Sequence, residues 1–566
     1  MPLLRAPRPV VPETADPDTV SPSAPQRAWK QFGLVFLCAA WVLLGLFGRD
    51  PWKTEDAINF AVAWEMVQRQ DFLIPHVAQE PALSVAPLVP WLAATTLSWL
   101  SPPLDAPDAG RVAVGLLLAL LLAFTGMAAR ELSGRSMRWV PILIVVGTVG
   151  LFERAHHLSQ ELGLTVAVAV ALYGVALALR RPVTGGVVLG FAAGAGFLSI
   201  GSLGIAWTVV PALLLPALGE PWRTRAYAVT LAVAGAVALP LAAAWPWALQ
   251  ARSPALFDAW VAAEQLSKWV PFLPGSAAIE PGWLAKNLLW LAWPALPLAL
   301  WMLWIRGRGF NGGLRQPGIV VPAAYALVLL ASLALMPDPR VIQTMPIAAP
   351  LAILAAHEVD SLKRGHSAAL DWFGILTFGI VAIVLWAFWI DAYLNGMSPR
   401  VAIMMRDSET GYGTSFNLRA MLAALALTVL WIVLVRPARR SNRRAVLNWA
   451  AGMTLIWGLI ATIWMPYVNA RRTYEAVAQG IAHSLPEGSC IERRDLGLAQ
   501  RAALYYFSGI VTVPDASSRA AECGALLVQY GRLADGTPPL PGYTIAWQGG
   551  RRGDENERFV LYRKVP

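Results

Sequence analysis

Apolar residues in this chain come in long blocks separated by short polar ones. The blocks run near 32–48, 86–101, 111–129, 139–153, 162–179, 185–200, 203–218, 226–248, 287–305, 318–336, 341–357, 369–390, 418–435 and 446–466. Most approach the ~20 residues that carry a helix across hydrocarbon. Block 86–101 is the weakest, because Pro87 and Pro90 open it and Ser-Pro-Pro closes it. Taken as a juxtamembrane or re-entrant helix, it leaves thirteen spans over 32–466.

Charge supports that count. With thirteen spans starting inside, the inner segments hold 21 Lys and Arg and the outer loops 9, although the outer loops are longer in total. Counting 86–101 as a crossing would move the Arg-rich loops outside, against the positive-inside rule. The expected fold is an all-α polytopic membrane protein of about 13 transmembrane helices, with juxtamembrane helices in the first outer loop. A Pro-rich segment, 1–31, reads as a disordered cytoplasmic tail. Residues 467–566 alternate short apolar runs (510–513 and 525–530) with a helix-like run (498–507), which predicts a small C-terminal α/β domain on the periplasmic side.

Composition agrees: 57% of the 566 residues are hydrophobic and 14% charged, a balance foreign to soluble globular domains. The net charge of +10 follows from the inner loops and calls for no nucleic acid. Cys490 and Cys523 both fall in the outer tail, where an oxidising exterior would let them pair. No CxxC or His/Cys cluster suggests a structural metal site, and no cofactor is expected. Several of the 26 Trp residues (Trp52, Trp91, Trp99, Trp245, Trp247, Trp283) fall at span ends and read as an interfacial belt.

This topology gathers the polar chemistry on the outer face. Glu55 and Asp56 start an amphipathic helix with Ile58, Ala61, Val62 and Met66 on one face. They read either as capping acids after Thr54 or as a carboxylate pair turned into a cavity. Glu161 opens a later span, as a dipole acid or as a third site acid. His156 and His157 read as interfacial filler, since neighbours on a helix diverge by about 100°. Loop 250–285 carries Phe257, Trp260, Val261 and Leu266 at helical spacing, which predicts a helix lying on the membrane surface, with Glu264, Gln265 and Lys268 toward water or the cavity. A carboxylate can activate an acceptor, while Arg154, Lys268 and Arg340 can hold a phosphate leaving group. The same inventory suits a solute path, but no internal repeat of the transporter kind is visible.

The order of motifs resembles the GT-C glycosyltransferases, and within them the lipid A aminoarabinose transferase and protein O-mannosyltransferase group. "DPWKTEDAINFAVAWEMVQRQDFLIPH" is similar to that group's first outer loop, and "SQELGLTVAVAVALYG" to its second acidic motif. "GFAAGAGFLSIGSLG", "WPWALQARSPALFDAWVAAEQLSKW" and "SLALMPDPRVIQTMPIAAPLAILAA" follow in the same order. The resemblance implies a bacterial inner-membrane enzyme that moves a sugar from a polyprenyl-phosphate donor to a lipid, glycan or protein acceptor with inversion. It puts Glu55, Asp56 and Glu161 at the group's acids and Arg340 at its basic position, and Arg154, Gln265, Lys268 and His76 join Arg340 as the expected donor-phosphate or substrate contacts on the outer face. Two basic positions of the group are absent: Val85 stands at one and Ile200 at the other, and Leu266 replaces a His. These departures keep a second expectation open, a non-catalytic relative that binds the lipid carrier or acts as a scaffold.

Overall fold

The computed structural model describes residues 24–266, 269, 281–336, 339–405, 416–436, 441–486, 488–518, 520–532 and 538–565. Hydrophobic blocks become helices because a backbone in hydrocarbon must satisfy its own N–H and C=O groups. The chain runs α1 (Ala24–Leu43), α2 (Glu55–Arg69), a hairpin of β1 (His76–Val77) and β2 (Glu80–Pro81), α3 (Leu88–Leu100), α4 (Ala106–Ser133), α5 (Trp139–Val146), α6 (Gln160–Ala178), α7 (Pro182–Ile200), α8 (Ser202–Leu218), α9 (Arg225–Arg252) and α10 (Pro254–Trp260). It continues through α11 (Pro281–Leu291), α12 (Ala295–Gly307), α13 (Pro317–Leu335), α14 (Ala348–Ala356), α15 (Arg364–Asn395), α16 (Pro399–Met404), α17 (Leu418–Val435), α18 (Asn442–Ala461) and α19 (Met465–Arg472).

Among the described residues, eight helices are long and apolar enough to span a membrane alone. Two further helix pairs are long and apolar enough only when taken together, and both are bent. Block 139–153 breaks after α5 into short 3-10 turns, with a 60° bend. Block 287–305 turns by 102° between α11 and α12, where Pro294 has no N–H to continue the ladder. Helix α6 is the axis of the bundle, packed against α4 and α7 with 89% of its apolar window buried. Small residues permit that packing: a Cβ added at Gly185 would stand 2.6 Å from the Ala178 backbone. Gly201, with φ +80°, turns the chain between α7 and α8.

The tail is a five-stranded mixed sheet. It adds α20 (Glu475–His483), β3 (Ile491–Arg494), α21 (Leu498–Ser508), β4 (Thr512–Pro514), β5 (Ala525–Tyr530), β6 (Tyr543–Gly549) and β7 (Arg558–Lys564). The strand order is β4-β3-β5-β7-β6, with β4, β3 and β5 parallel and β7 antiparallel to both β5 and β6. A disulfide joins Cys490 to Cys523, while Cys38 is free.

Helix α21 docks on α2, where Phe60 and Trp64 meet Tyr505 and Tyr506 edge-on. Glu80 clamps the first outer loop to the tail. Its carboxylate accepts from Arg493 at 2.7 and 2.8 Å and from Arg501 at 2.6 Å. Burial raises the Glu80 pKa, but the Arg493 hydrogen bond and the Arg501 charge outweigh it and hold the group below its ordinary value. Glu80→Gln is expected to weaken the docking by about 1 kcal/mol, since the pair is partly exposed. Hydrogen exchange should then rise roughly fivefold in α21 and the β1–β2 hairpin and stay unchanged in α6.

Several expectations from the sequence need correction. Trp52 and Trp245 are buried inside the protein rather than placed in an interfacial belt; their indoles donate to Asn469 Oδ1 and the Leu73 carbonyl. Trp99 and Trp247 are exposed. Trp260 in α10 packs on Trp245 and Phe197, so that helix leans on the protein through one face. His156 and His157 are buried too, His156 against Trp41 and Trp457 and His157 against Trp52.

Candidate active site

The adjacent acids at the start of α2 point in different directions, as a helical step of about 100° requires. Asp56 points inward and is completely buried. Its Oδ2 accepts from Arg49 Nη1 at 2.9 Å and the Trp52 N–H at 3.0 Å, and its Oδ1 accepts from the Leu158 N–H at 2.8 Å. Arg111 Nη2 lies 3.6 Å away. Burial alone would raise the Asp56 pKa, but the charges of Arg49 and Arg111 overcome it and hold the carboxyl well below the usual carboxylate range. Burial, with the repulsion of Arg111, brings Arg49 down to about 10, so it stays charged at neutral pH.

The cations are held in turn. Arg49 donates to the Gly45 and His156 carbonyls, and Arg111 to those of Arg49 and Asp50. The group ties the first outer loop to α4 and to the 3-10 turn Arg154–His156 that precedes α6. Both Asp56 oxygens are bonded inside the protein, which sets Asp56 apart from Glu55, its equal in the sequence. Thr54 does stand at the N-cap with both acids in the first turn, as the capping reading has it, but its side chain makes no cap hydrogen bond.

Glu55 points the other way. Its Oε1 accepts from Arg340 Nη1 at 2.8 Å, and Arg340 Nη2 reaches Glu161 Oε1 at 3.4 Å. One guanidinium thus bridges two carboxylates that are 106 positions apart in the sequence. The Arg340 side chain is 55% exposed and that of Glu55 23%, so the bridge borders open space.

Local structure fixes each member of the bridge. Glu55 is the first residue of α2. Glu161 lies in the first turn of α6, whose N-cap Ser159 Oγ accepts from the Leu162 N–H at 3.2 Å. The Arg340 N–H donates to Gln343 Oε1 at 2.8 Å, opening the 3-10 turn Val341–Ile347.

The remaining candidates lie on other elements. Arg154 is half-buried, its carbonyl accepts from the His157 N–H, and its side chain makes no hydrogen bond or ion pair with any described residue. It sits four residues before Leu158, whose N–H holds Asp56. Gln265 Oε1 accepts from the Ser202 N–H at 2.9 Å, with its amide seated over Gly201, so it closes the α7–α8 corner rather than standing in water. Lys268 and the Glu264 side chain lie outside the described residues.

His76 is not joined to Glu55, Glu161 or Arg340 by any described contact. Its Nδ1 donates to the Ile74 carbonyl at 2.8 Å, and burial, with the Arg69 charge, lowers its pKa. The absent basic position at Val85 is filled by a side chain 2% exposed within the main core. Arg49 and Arg111 escaped notice in the sequence, because a basic residue beside an apolar block reads as a topology signal. Their only local clue is an Arg on either side of an acid pair and at the mouth of a span.

No protein-family model matches the chain. Its sequence is similar to undecaprenyl phosphate-alpha-4-amino-4-deoxy-L-arabinose arabinosyl transferases. It is 21% identical over 454 residues to that of Serratia proteamaculans, covering 78% of this chain and 76% of that one. It is 26% identical over 372 residues to that of Edwardsiella ictaluri, covering 62% and 64%. With that of Pseudomonas aeruginosa it shares 30% identity over 225 residues, covering 39% and 38%.

The fold is similar to that of ArnT from Cupriavidus metallidurans. Against that protein bound to undecaprenyl phosphate the TM-score is 0.64 at 15% identity, covering 94% of this chain and 98% of that one. Against its apo state the TM-score is again 0.64, at 16% identity. The chain therefore has a fold like that of ArnT, and its sequence resembles that of the Serratia proteamaculans transferase over about three quarters of its length.

Proposed function

We propose that this chain is an inner-membrane glycosyltransferase that moves a sugar from a polyprenyl-phosphate donor to lipid A on the periplasmic face. The observation that carries the reading is the Glu55–Arg340–Glu161 bridge, an accessible cation between two acids beside a buried, rigid hub.

In this reading the donor phosphate displaces Glu55 from Arg340, because a guanidinium fork matches phosphate as well as carboxylate. Arg154, which has no carboxylate of its own, supplies a second positive charge to the phosphate. The acceptor oxygen attacks the anomeric carbon from the face opposite the phosphate. The new C–O bond forms as the bond from the anomeric carbon to the phosphate oxygen breaks. The electron pair leaves on the polyprenyl phosphate, and configuration inverts. Where the acceptor is a hydroxyl, the freed Glu55 takes its proton. Glu161 stays on Arg340 and orients it.

Thirteen spans remain the topology we favour. The eight long helices and two bent pairs reach that number with the shorter apolar helices Gln31–Leu43, Ser202–Leu218 and Val341–Ala356, leaving Leu88–Leu100 outside the count. The N-terminus is then cytoplasmic and the 467–566 domain periplasmic. The clasp between Glu80 and the tail supports one common side for the first loop and the tail.

Arg340→Ala is expected to raise the donor Kd about thirtyfold, the lower end for loss of a charge partner because the site is half-exposed. Arg340→Lys should recover part of the loss, keeping the charge but not the fork. Binding of a radiolabelled polyprenyl-phosphate sugar to the purified chain measures both. Unchanged binding in Arg340→Ala would refute the phosphate seat.

A further inference from the structure

A second cationic recess lies away from this bridge, where α19 meets the tail. It is a cavity of about 500 Å³ lined by Lys53, Tyr467, Arg471, Arg472, Arg551, Arg552 and neighbours that include Asp554. Most of its cations are matched. Lys53 Nζ reaches Glu557 at 3.2 Å, Arg472 reaches Glu153 at 2.9 Å, and Arg551 holds both Asp554 and Glu557. Among the described residues, Arg471 is not matched to a carboxylate. It donates to three neutral oxygens, the Met405 and Gly553 carbonyls and the Tyr467 hydroxyl. It is a half-buried guanidinium in a cluster of like charges, held in place without being neutralised.

We propose that this recess is a second anion site, one that seats the phosphate headgroup of a membrane lipid. Position argues for a lipid as the source. Helix α19 starts four residues after α18 ends. Its side chains therefore stand in the headgroup layer, which extends about 5–8 Å beyond the hydrocarbon edge. The lining also joins the guanidinium groups to the apolar side chain of the half-buried Val468, as a phosphate carrying acyl chains requires. A lipid phosphate over Arg471 would complete the charge balance and pin the tail to the membrane surface. The site is independent of the transfer reaction.

The test is native mass spectrometry of the full chain released from nanodiscs of equimolar phosphatidylglycerol and phosphatidylcholine. It is run in an Arg340→Ala background, so that the donor-phosphate seat does not contribute. The parent is expected to retain phosphatidylglycerol at least fivefold over phosphatidylcholine. Arg471→Ala with Arg552→Ala should bring the ratio close to one, while Arg471→Lys keeps most of the preference. On the same parent, inorganic pyrophosphate should displace the retained lipid, a measurement that does not depend on Arg471→Ala or Arg552→Ala folding. Equal retention of the two lipids, a preference unchanged by the alanine pair, or no displacement by pyrophosphate would each overturn the proposal. Pyrophosphate binding without lipid preference would overturn the lipid as its source.

Discussion

Asp56→Asn unfolds the outer face instead of merely slowing a reaction. The substitution is nearly isosteric, yet it removes the one negative charge between Arg49 and Arg111, whose side chains are buried to within about one per cent. Breaking a buried pair by neutralising one partner costs about 3–5 kcal/mol, a large part of a total stability of about 5–15 kcal/mol. The carboxyl titrates well below the usual range in the folded chain. Its contribution is therefore complete above the unfolded Asp value of about 3.9 and is lost only as pH falls through the lower folded value. Thermal unfolding of the purified wild type should show no Asp56-linked change between about pH 5 and 8. The variant should melt lower across that whole range, and recover poorly from the membrane. A variant as stable as wild type would mean that Asp108, 3.2 Å from Arg111, and the carbonyls around Arg49 compensate for the lost charge.

Glu55→Gln has the opposite signature. Glu55 is partly exposed, and its partner Arg340 is open to water and keeps Glu161, so little stability is at stake. What goes is the group that accepts a proton, a contribution of about 10²–10⁴ in rate. Turnover is expected to fall by that factor, with donor binding and melting temperature close to wild type. Glu55→Asp should fall between the two, because the shorter side chain withdraws the base by about an ångström. Turnover that survives Glu55→Gln would move the base elsewhere, with Glu161 the next carboxylate on the same guanidinium.

The contrast between these two residues marks how far the sequence can be read. Helices α4, α6, α7, α9, α13, α15, α17 and α18 follow the apolar blocks closely, because hydrocarbon imposes helix on any long apolar stretch. In the tail, α21, β4 and β5 coincide with the short runs near 498–507, 510–513 and 525–530. Strands β6 and β7 went unread: β6 interleaves Thr544 and Gln548 with its apolar residues, and β7 ends in Arg563 and Lys564.

The site residues were legible as types and as a common face. Their partners were not. Glu55 and Asp56 are neighbours whose local sequence gives them the same description. Only packing across 62 positions, from Arg49 to Arg111, makes one a hub, and only the approach of Arg340 across 285 makes the other a site residue. The breaks after α5 and between α11 and α12 were invisible for a related reason, since hydropathy averages over a bend. The buried indoles of Trp52 and Trp245 look like interfacial anchors until their acceptors, Asn469 and Leu73, are known.

The central claim is that the chain keeps both the fold and the chemistry. The most direct measurement follows the purified wild type with a radiolabelled undecaprenyl-phosphate aminoarabinose and lipid A in detergent, scoring labelled lipid A and free undecaprenyl phosphate together. The account predicts that both products appear in equal amounts, with inverted configuration at the anomeric carbon, and that Glu55→Gln suppresses both. Tight donor binding with neither product, in wild type and Glu55→Gln alike, across a panel of polyprenyl-phosphate sugars and acceptors, would contradict it and leave a lipid-carrier-binding relative in its place.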